Sequence, residues 1–395
     1  MSDNNSWQLP DGVDEVLPKR AFALESLRRE LLDLYHSWGY QLVEPPLAEF
    51  TESLLVGLGA DLDLLTCKIP DQLSGRMMGV RADLTPQVAR MDAHSMNDSG
   101  INRLYYAGPV LHAKPKSAGC SRSPIQVGAE IFGESSAQAD IEIIDLMLET
   151  VELSGLSCSR DDLTLDLGHV GVVQSLLKSA ELEKKIEAKV VDALKRKSIP
   201  DLERVLESLD ESFAKIFLAL ARLNGDASVL LNARELVLEV APAAADSIDL
   251  INEVIDSMRI RRPGINIYVD LAELRGYNYH TGIVFAAYTS NFGQAIANGG
   301  RYDNVGSIFG RSRSATGFGA DLKVLMQFYP SLLCEDVGSK VISAPYSDDP
   351  GLRKAIAELR KKGERVVMQL PGDNHNDQFD RYLTNSNNDW IVQQK

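Results

Sequence analysis

The sequence predicts an α+β fold in which strands and helices fall into separate runs, with a helical insertion and a small C-terminal strand-helix-strand unit. Three observations carry this. Alternating runs rich in β-branched or aromatic residues recur at 103–110, 125–133, 265–271 and 283–288. Residues 171–262 carry apolar residues at helical spacing throughout. A strand at 341–343, a helix at 352–362 and a strand at 365–370 then follow, ahead of a polar tail. The expected division is a core of 1–170 with 263–330, an insertion at 171–262 and a C-terminal unit at 336–395.

Composition narrows the function classes. The 395 residues suffice for two or three domains, and 44% apolar with 25% charged residues is ordinary for a soluble globular protein. No apolar run approaches the ~20 residues of a membrane span. The polar start Met1-Ser2-Asp3-Asn4-Asn5 lacks a signal-peptide pattern. Cys67, Cys120, Cys158 and Cys334 are scattered, without zinc-ligand spacing, so no metal and a reducing, cytoplasmic setting are expected. A net charge of -15 argues against a nucleic-acid partner, which would need clustered Lys and Arg.

Leu24, Leu27, Leu31 and Leu34 give the first helix, which Gly39 stops. Residues 41–46 read as a strand halted by Pro45 and Pro46, either an ordinary edge or part of a dimer interface. Residues 64–69 and 77–81 form a hairpin pattern around Ser74-Gly75. Asp83 and Thr85 lie where that second strand meets a helix. Asp83 is either a helix cap or a carboxylate holding an ammonium group. A basic loop at 111–123 separates two strands. In the second, alternation puts Gln126, Gly128 and Glu130 on one face, a polar floor that an exposed strand would not build with glycine. An apolar helix at 140–151 follows.

The most unusual stretch is 274–285, Leu-Arg-Gly-Tyr-Asn-Tyr-His-Thr-Gly-Ile-Val-Phe, between two strand-like runs. Hairpin connections favour Gly, Asn and Asp. Arg275, Tyr277, Tyr279 and His280 instead suit a pocket wall, though a structural loop with buried aromatics explains them equally well. Asn298-Gly299-Gly300-Arg301 reads as a strand-to-turn element, and Gly317-Phe318-Gly319-Ala320 as the opening of a helix at 322–328.

Four of these stretches, in order, resemble the catalytic core of histidyl-tRNA synthetase, a class II aminoacyl-tRNA synthetase. Residues 81–90 are similar to its first amino-acid-binding segment, 106–133 to its second class-defining motif, 274–285 to its histidine-specific loop and 299–325 to its third motif. The resemblance implies an antiparallel sheet flanked by helices. It implies a histidine site built from Asp83, Thr85, Gln126, Glu130, Arg275, Tyr279 and His280. Asp83 stands for the family's Glu and His280 for a Tyr.

The departures lie on the nucleotide side. Where the family has the α-phosphate arginine this chain has His112, near Lys114, and where it has the γ-phosphate arginine this chain has Val324, beside Lys323. A mostly neutral imidazole forms no bidentate fork and a valine touches no phosphate. Adenylation depends on preorganised charge. The unit after residue 336 is also too short for the family's anticodon-binding domain. These features resemble the family of regulatory subunits of short-form ATP phosphoribosyltransferase. That resemblance implies no catalytic residues, no cofactor, self-dimers, a hetero-octamer with the catalytic subunit, and activation with histidine feedback in the first step of histidine biosynthesis. The alternatives are an active histidyl-tRNA-synthetase-like enzyme and an orphan histidine-binding protein.

Overall fold

A computed structural model describes residues 8–55, 60–96, 99–117, 119–159, 162–207, 209–274, 276–277, 279–330, 341–372, 379–386 and 389–394. The chain divides into two compact units, residues 1–17 with 21–329, and residues 18–20 with 330–395. In chain order the strands are β1 (Gln41–Leu42), β2 (Ala48–Phe50), β3 (Cys67–Pro70), β4 (Met77–Val80), β5 (Asn102–Pro109), β6 (Ile125–Phe132), β7 (Thr164–His169), β8 (Asn224–Gly225), β9 (Asn266–Asp270), β10 (Ile283–Thr289), β11 (Phe292–Arg301), β12 (Ala315–Asp321), β13 (Val341–Ala344), β14 (Arg365–Met368), β15 (Arg381–Ser386) and β16 (Asp389–Gln394).

A nine-stranded sheet in the order β1-β5-β6-β12-β11-β10-β7-β9-β8 forms the first unit. It is mixed rather than wholly antiparallel, because β1 pairs with β5 and β7 with β9 in parallel. Residues 41–42 form the edge strand, exposed and only two residues long before the prolines. β9 and β10 do not form a hairpin: β7 lies between them, parallel to β9 and antiparallel to β10. The connection from β9 to β10 is therefore a crossover past β7 and not a hairpin turn. β2, β4 and β3 make a small antiparallel sheet; its β3–β4 pair is the expected hairpin, except that Leu64 and Leu65 end the helix Ala60–Leu65 and do not open the strand.

Helices cover one face of the large sheet. Pro18–Ser37 buries Leu27, Leu31 and Tyr35, with Tyr35 rather than Leu34 completing the stripe. The Tyr35 ring meets Phe318 of β12 edge-on at 6.2 Å. Ala129 is the register partner of Phe318, so Val127, Ala129 and Ile131 share that helix-covered face, each fully buried. Ala137–Leu153 packs there too, with Ile143, Ile144, Leu146, Met147 and Leu148 fully buried. Gln126, Gly128 and Glu130 consequently point to the opposite face.

The segment 171–262 is helical except for β8, which adds an antiparallel strand to β9 and carries the insertion onto the sheet edge. Two further expectations need correction. Gly299 and Gly300 lie inside the ten-residue β11, not in a turn. Residues 317–320 lie inside β12, and the helix after them is only Leu322–Leu325 followed by a 3₁₀ turn. Glycine is required there by packing across strands, since a Cβ on Gly299 would lie 2.0 Å from the Gly317 carbonyl oxygen.

The C-terminal unit is a four-stranded sheet, β14-β13-β15-β16, with helix Pro350–Lys361 capped by Asp349. Ile342, Ala344, Leu352, Ile356, Val366 and Leu383 form its own core. The residues expected as a polar tail supply β15 and β16, an antiparallel pair; Trp390 packs on the core, an anchor the polar composition of the segment conceals.

Candidate functional site

On the opposite face, part of which packs against Val88 and Ala89 of helix Thr85–Arg90, glycines of β6, β11 and β12 leave out side chains where neighbouring strands come together, and larger groups occupy the gap. Glu130 sits opposite Gly317, Gly128 opposite Gly319, and Gln126 opposite Asp321. A Cβ on Gly317 would fall 1.4 Å from Glu130 Oε2. Above this floor opens a cavity of about 390 Å³, lined among others by Asp83, Thr85, Gln126, Glu130, Tyr279 and His280. Six of the seven residues expected at the site thus border one cavity. Arg275, the seventh, lies outside the described residues, as does Asn278.

Glu130 is fully buried and is held by three hydroxyls. Thr85 Oγ1 donates to Oε1 at 2.8 Å, Tyr106 OH donates to Oε1 at 3.0 Å, and Tyr302 OH donates to Oε2. Burial raises its pKa from 4.5 to about 8 despite these donors, and the nearby Asp83 charge adds to the rise. Asp83 is fixed by Gln126 Nε2 at 2.9 Å and by the Thr85 backbone N–H at 3.1 Å, while Gln126 Oε1 accepts from Leu84 N at 2.9 Å. Asp83 is not the helix cap, a position held by Leu84 without a side-chain bond; it accepts from the Thr85 N–H just before the helix and borders the cavity. A carboxylate at Asp83, a carboxyl group at Glu130 that holds its proton until about 8, and a fixed amide between them suit a ligand that carries an ammonium group and polar ring nitrogens.

The loop after β9 supplies the other wall. Tyr279 stacks on Tyr302 with ring centroids 5.1 Å apart at 25°. Its hydroxyl is buried and, among the described residues, has no hydrogen-bond partner in the protein. Burial raises its pKa well above the usual tyrosine value, so it stays a protonated donor. His280 packs against Gly276, whose φ of 61° makes the turn, and its Nδ1 lies 3.3 Å from the Arg301 carbonyl oxygen. Tyr106 and Tyr302, which complete the Glu130 cage, were not among the expected site residues. Tyr106 is the register partner of Gly128 across β5 and β6, a signal visible only once strand pairing is known.

The same cavity extends to His112 and Val324. His112 is 2% exposed, with Nε2 bonded to the Ala82 carbonyl at 3.0 Å; burial and then Lys116 lower its pKa, so it is neutral at pH 7. Lys323 does not stand in for a lost arginine: its ammonium donates to Asp14 at 3.0 Å and to Ser123, and it does not line the cavity. Lys114 is exposed. Among the described lining residues none is an arginine and Lys116 is the one lysine. A triphosphate would find little fixed positive charge here.

Filling the floor tests this arrangement. In Gly317→Ala the new methyl must displace a caged carboxylate and also approach the Ala129 carbonyl oxygen at 2.8 Å. The variant is expected to lose about 1–3 kcal/mol of stability in denaturant titration, and an unchanged midpoint would place Glu130 elsewhere.

Comparison with known proteins identifies the fold and the family. The family model for histidyl-tRNA synthetase matches residues 12–325. A crystal structure titled as an ATP phosphoribosyltransferase regulatory subunit/histidyl-tRNA synthetase from Bacillus halodurans superposes with a TM-score of 0.81 at 27% identity, covering 94% of this chain and 95% of that one. Histidyl-tRNA synthetase from Nostoc sp. PCC 7120 shares the fold with a TM-score of 0.76 at 17% identity, covering 96% of this chain and 91% of that one. The fold and the cavity together define a class II protein of the histidyl-tRNA-synthetase type. The C-terminal unit then narrows the class, since residues 339–393 match the model for the ATP phosphoribosyltransferase subunit HisZ C-terminal domain. ATP phosphoribosyltransferase regulatory subunits from Stutzerimonas stutzeri (47% identical, 95% of this chain and 93% of that one) and Thioalkalivibrio sulfidiphilus (48% identical, 94% and 93%) align along nearly the whole length. The chain belongs to the family of ATP phosphoribosyltransferase regulatory subunits.

Proposed function

We propose that this chain is the non-catalytic partner of a short-form ATP phosphoribosyltransferase catalytic subunit, and that free histidine is the ligand of its cavity. Asp83 with Gln126 holds the α-ammonium group, Glu130 and Tyr279 meet the imidazole nitrogens, and Arg275 faces the carboxylate. Thr85 fixes Glu130, and His280 closes the wall. Catalysis resides in the other subunit, which this chain activates and makes sensitive to histidine, as a self-dimer within a cytoplasmic hetero-octamer. Among the described residues no helix is long and apolar enough to cross a membrane.

The observation that carries the reading is the asymmetry of the cavity: carboxylates and hydroxyls at the amino-acid end, and no arginine among the described residues at the phosphate end. A ligand shifts such an assembly by binding its two states unequally, typically by about 1–3 kcal/mol. Mixing the chain with a short-form catalytic subunit is expected to raise the rate of phosphoribosyl transfer to ATP, and added histidine to lower it. A rate indifferent to this chain would reject the proposal.

A further inference from the structure

The helical insertion fastens onto the loop that carries Tyr279 and His280. Helix Lys184–Lys195 is followed by its C-cap Arg196 and then by Lys197, whose φ of 49° is left-handed. Lys197 N donates to Leu194 O and Ser198 N to Ala193 O, the closing bonds of a helix end where glycine is the usual left-handed residue. A side chain there carries a steric penalty, so the lysine demands a reason. Its ammonium meets the carboxylate of Asp270, which is 3% exposed at the end of β9.

Asp270 in turn sets the first bend of the loop. Its Oδ1 accepts from Ala272 N at 3.1 Å and its carbonyl from Glu273 N at 3.1 Å. A few residues on, Lys195 Nζ lies 5.7 Å from the Tyr277 ring centroid, and Tyr277 lines a separate groove with Leu177 and Glu187. Tyr279 N and His280 N both donate to Gly276 O, at 2.7 and 2.8 Å, so the turn joins Tyr277 on the insertion side to Tyr279 and His280 on the cavity side. β8 adds a third fastening, pairing Asn224 with Asp270.

We infer that Lys197 is a positioning residue: acting through Asp270, it fixes the loop that walls the cavity, and so couples the insertion to ligand binding. The coupling to histidine rests on the function proposed above; the fixing of the loop does not. Glycine separates the two roles of this position. If Lys197 only closes a helix, Lys197→Gly relieves the backbone and changes nothing else.

The test uses the full chain in three forms, wild type, Lys197→Gly and Lys197→Arg, with Asp270→Asn as a second break of the pair. Lys197→Gly is expected to unfold in one cooperative transition yet bind histidine about tenfold more weakly by titration calorimetry. Lys197→Arg, which keeps both the cation and the strained backbone, is expected to stay within about threefold of wild type. Without ligand, the Tyr279 and His280 amides are expected to exchange with deuterium about tenfold faster in Lys197→Gly. Wild-type exchange in that variant overturns the inference whatever the ligand is. Faster exchange in a protein that never binds histidine leaves the positioning role standing and instead rejects histidine as the ligand.

Discussion

Glu130→Gln is expected to make the protein more stable at pH 8 while weakening histidine binding about 10- to 100-fold. Both effects come from one buried carboxyl group. In the unfolded chain it ionises above its ordinary value of 4.5, whereas in the folded chain burial holds the proton until about 8. Between those values the folded state binds more protons than the unfolded state, so the group's contribution to stability falls as pH rises, at up to about 1.4 kcal/mol per pH unit. Glutamine does not titrate. Its advantage is therefore absent below pH 4.5, grows through the window and is complete above about 8. The amide must still satisfy the hydroxyls of Thr85, Tyr106 and Tyr302, which reduces the net gain to about 2 kcal/mol. Thermal melts of both proteins from pH 5 to 9, with calorimetric titration at pH 7.5, check this. Parallel stability curves would mean that Glu130 ionises normally in the fold, and undiminished binding would remove it from the ligand.

A destabilising group at a site of this kind is a familiar exchange of stability for function, and the sequence showed part of it. Alternation along β6 was enough to place Gln126, Gly128 and Glu130 on one face, because a strand's period of two is local information. Asp83 and Thr85 stood out at a strand-to-helix junction and Tyr279 and His280 as a possible pocket wall; the resemblance joined them into one site, and the fold gathers them around the same cavity. What local reading missed depends on pairing between distant strands. Glycine is ordinarily turn punctuation, so local reading places Gly299-Gly300 in a strand-to-turn element and Gly317-Phe318-Gly319 at a helix start. They are strand glycines, left small because Phe285, Glu130 and Gln126 fill the space from neighbouring strands. Tyr302 escaped notice for a related reason: its hydroxyl reaches a carboxylate 172 residues away in sequence. The strand between β9 and β10 comes from before the insertion, a crossing that hydrophobic periodicity does not encode.

Histidine-dependent exchange of pyrophosphate into ATP is expected to be undetectable for this chain, and to remain so in His112→Arg. Each preorganised donor to a developing charge is worth about 10²- to 10³-fold in rate, so two absent guanidinium groups together account for about 10⁴- to 10⁶-fold. The structure sharpens why one substitution fails. His112 is buried and spends its Nε2 on the Ala82 carbonyl, so an arginine there must first find room and replace that bond. Even then the second position is Val324, an uncharged lining residue, and the neighbouring lysine is bonded to Asp14 and Ser123. The double variant His112→Arg with Val324→Arg is the informative case. Measurable exchange there, with none in either single variant, would show that the amino-acid end of the cavity still orients a histidine carboxylate for attack and that only the phosphate end was lost. Exchange by the unaltered chain would instead mean that Lys116 or another cation compensates, and the protein would have to be regarded as an activating enzyme.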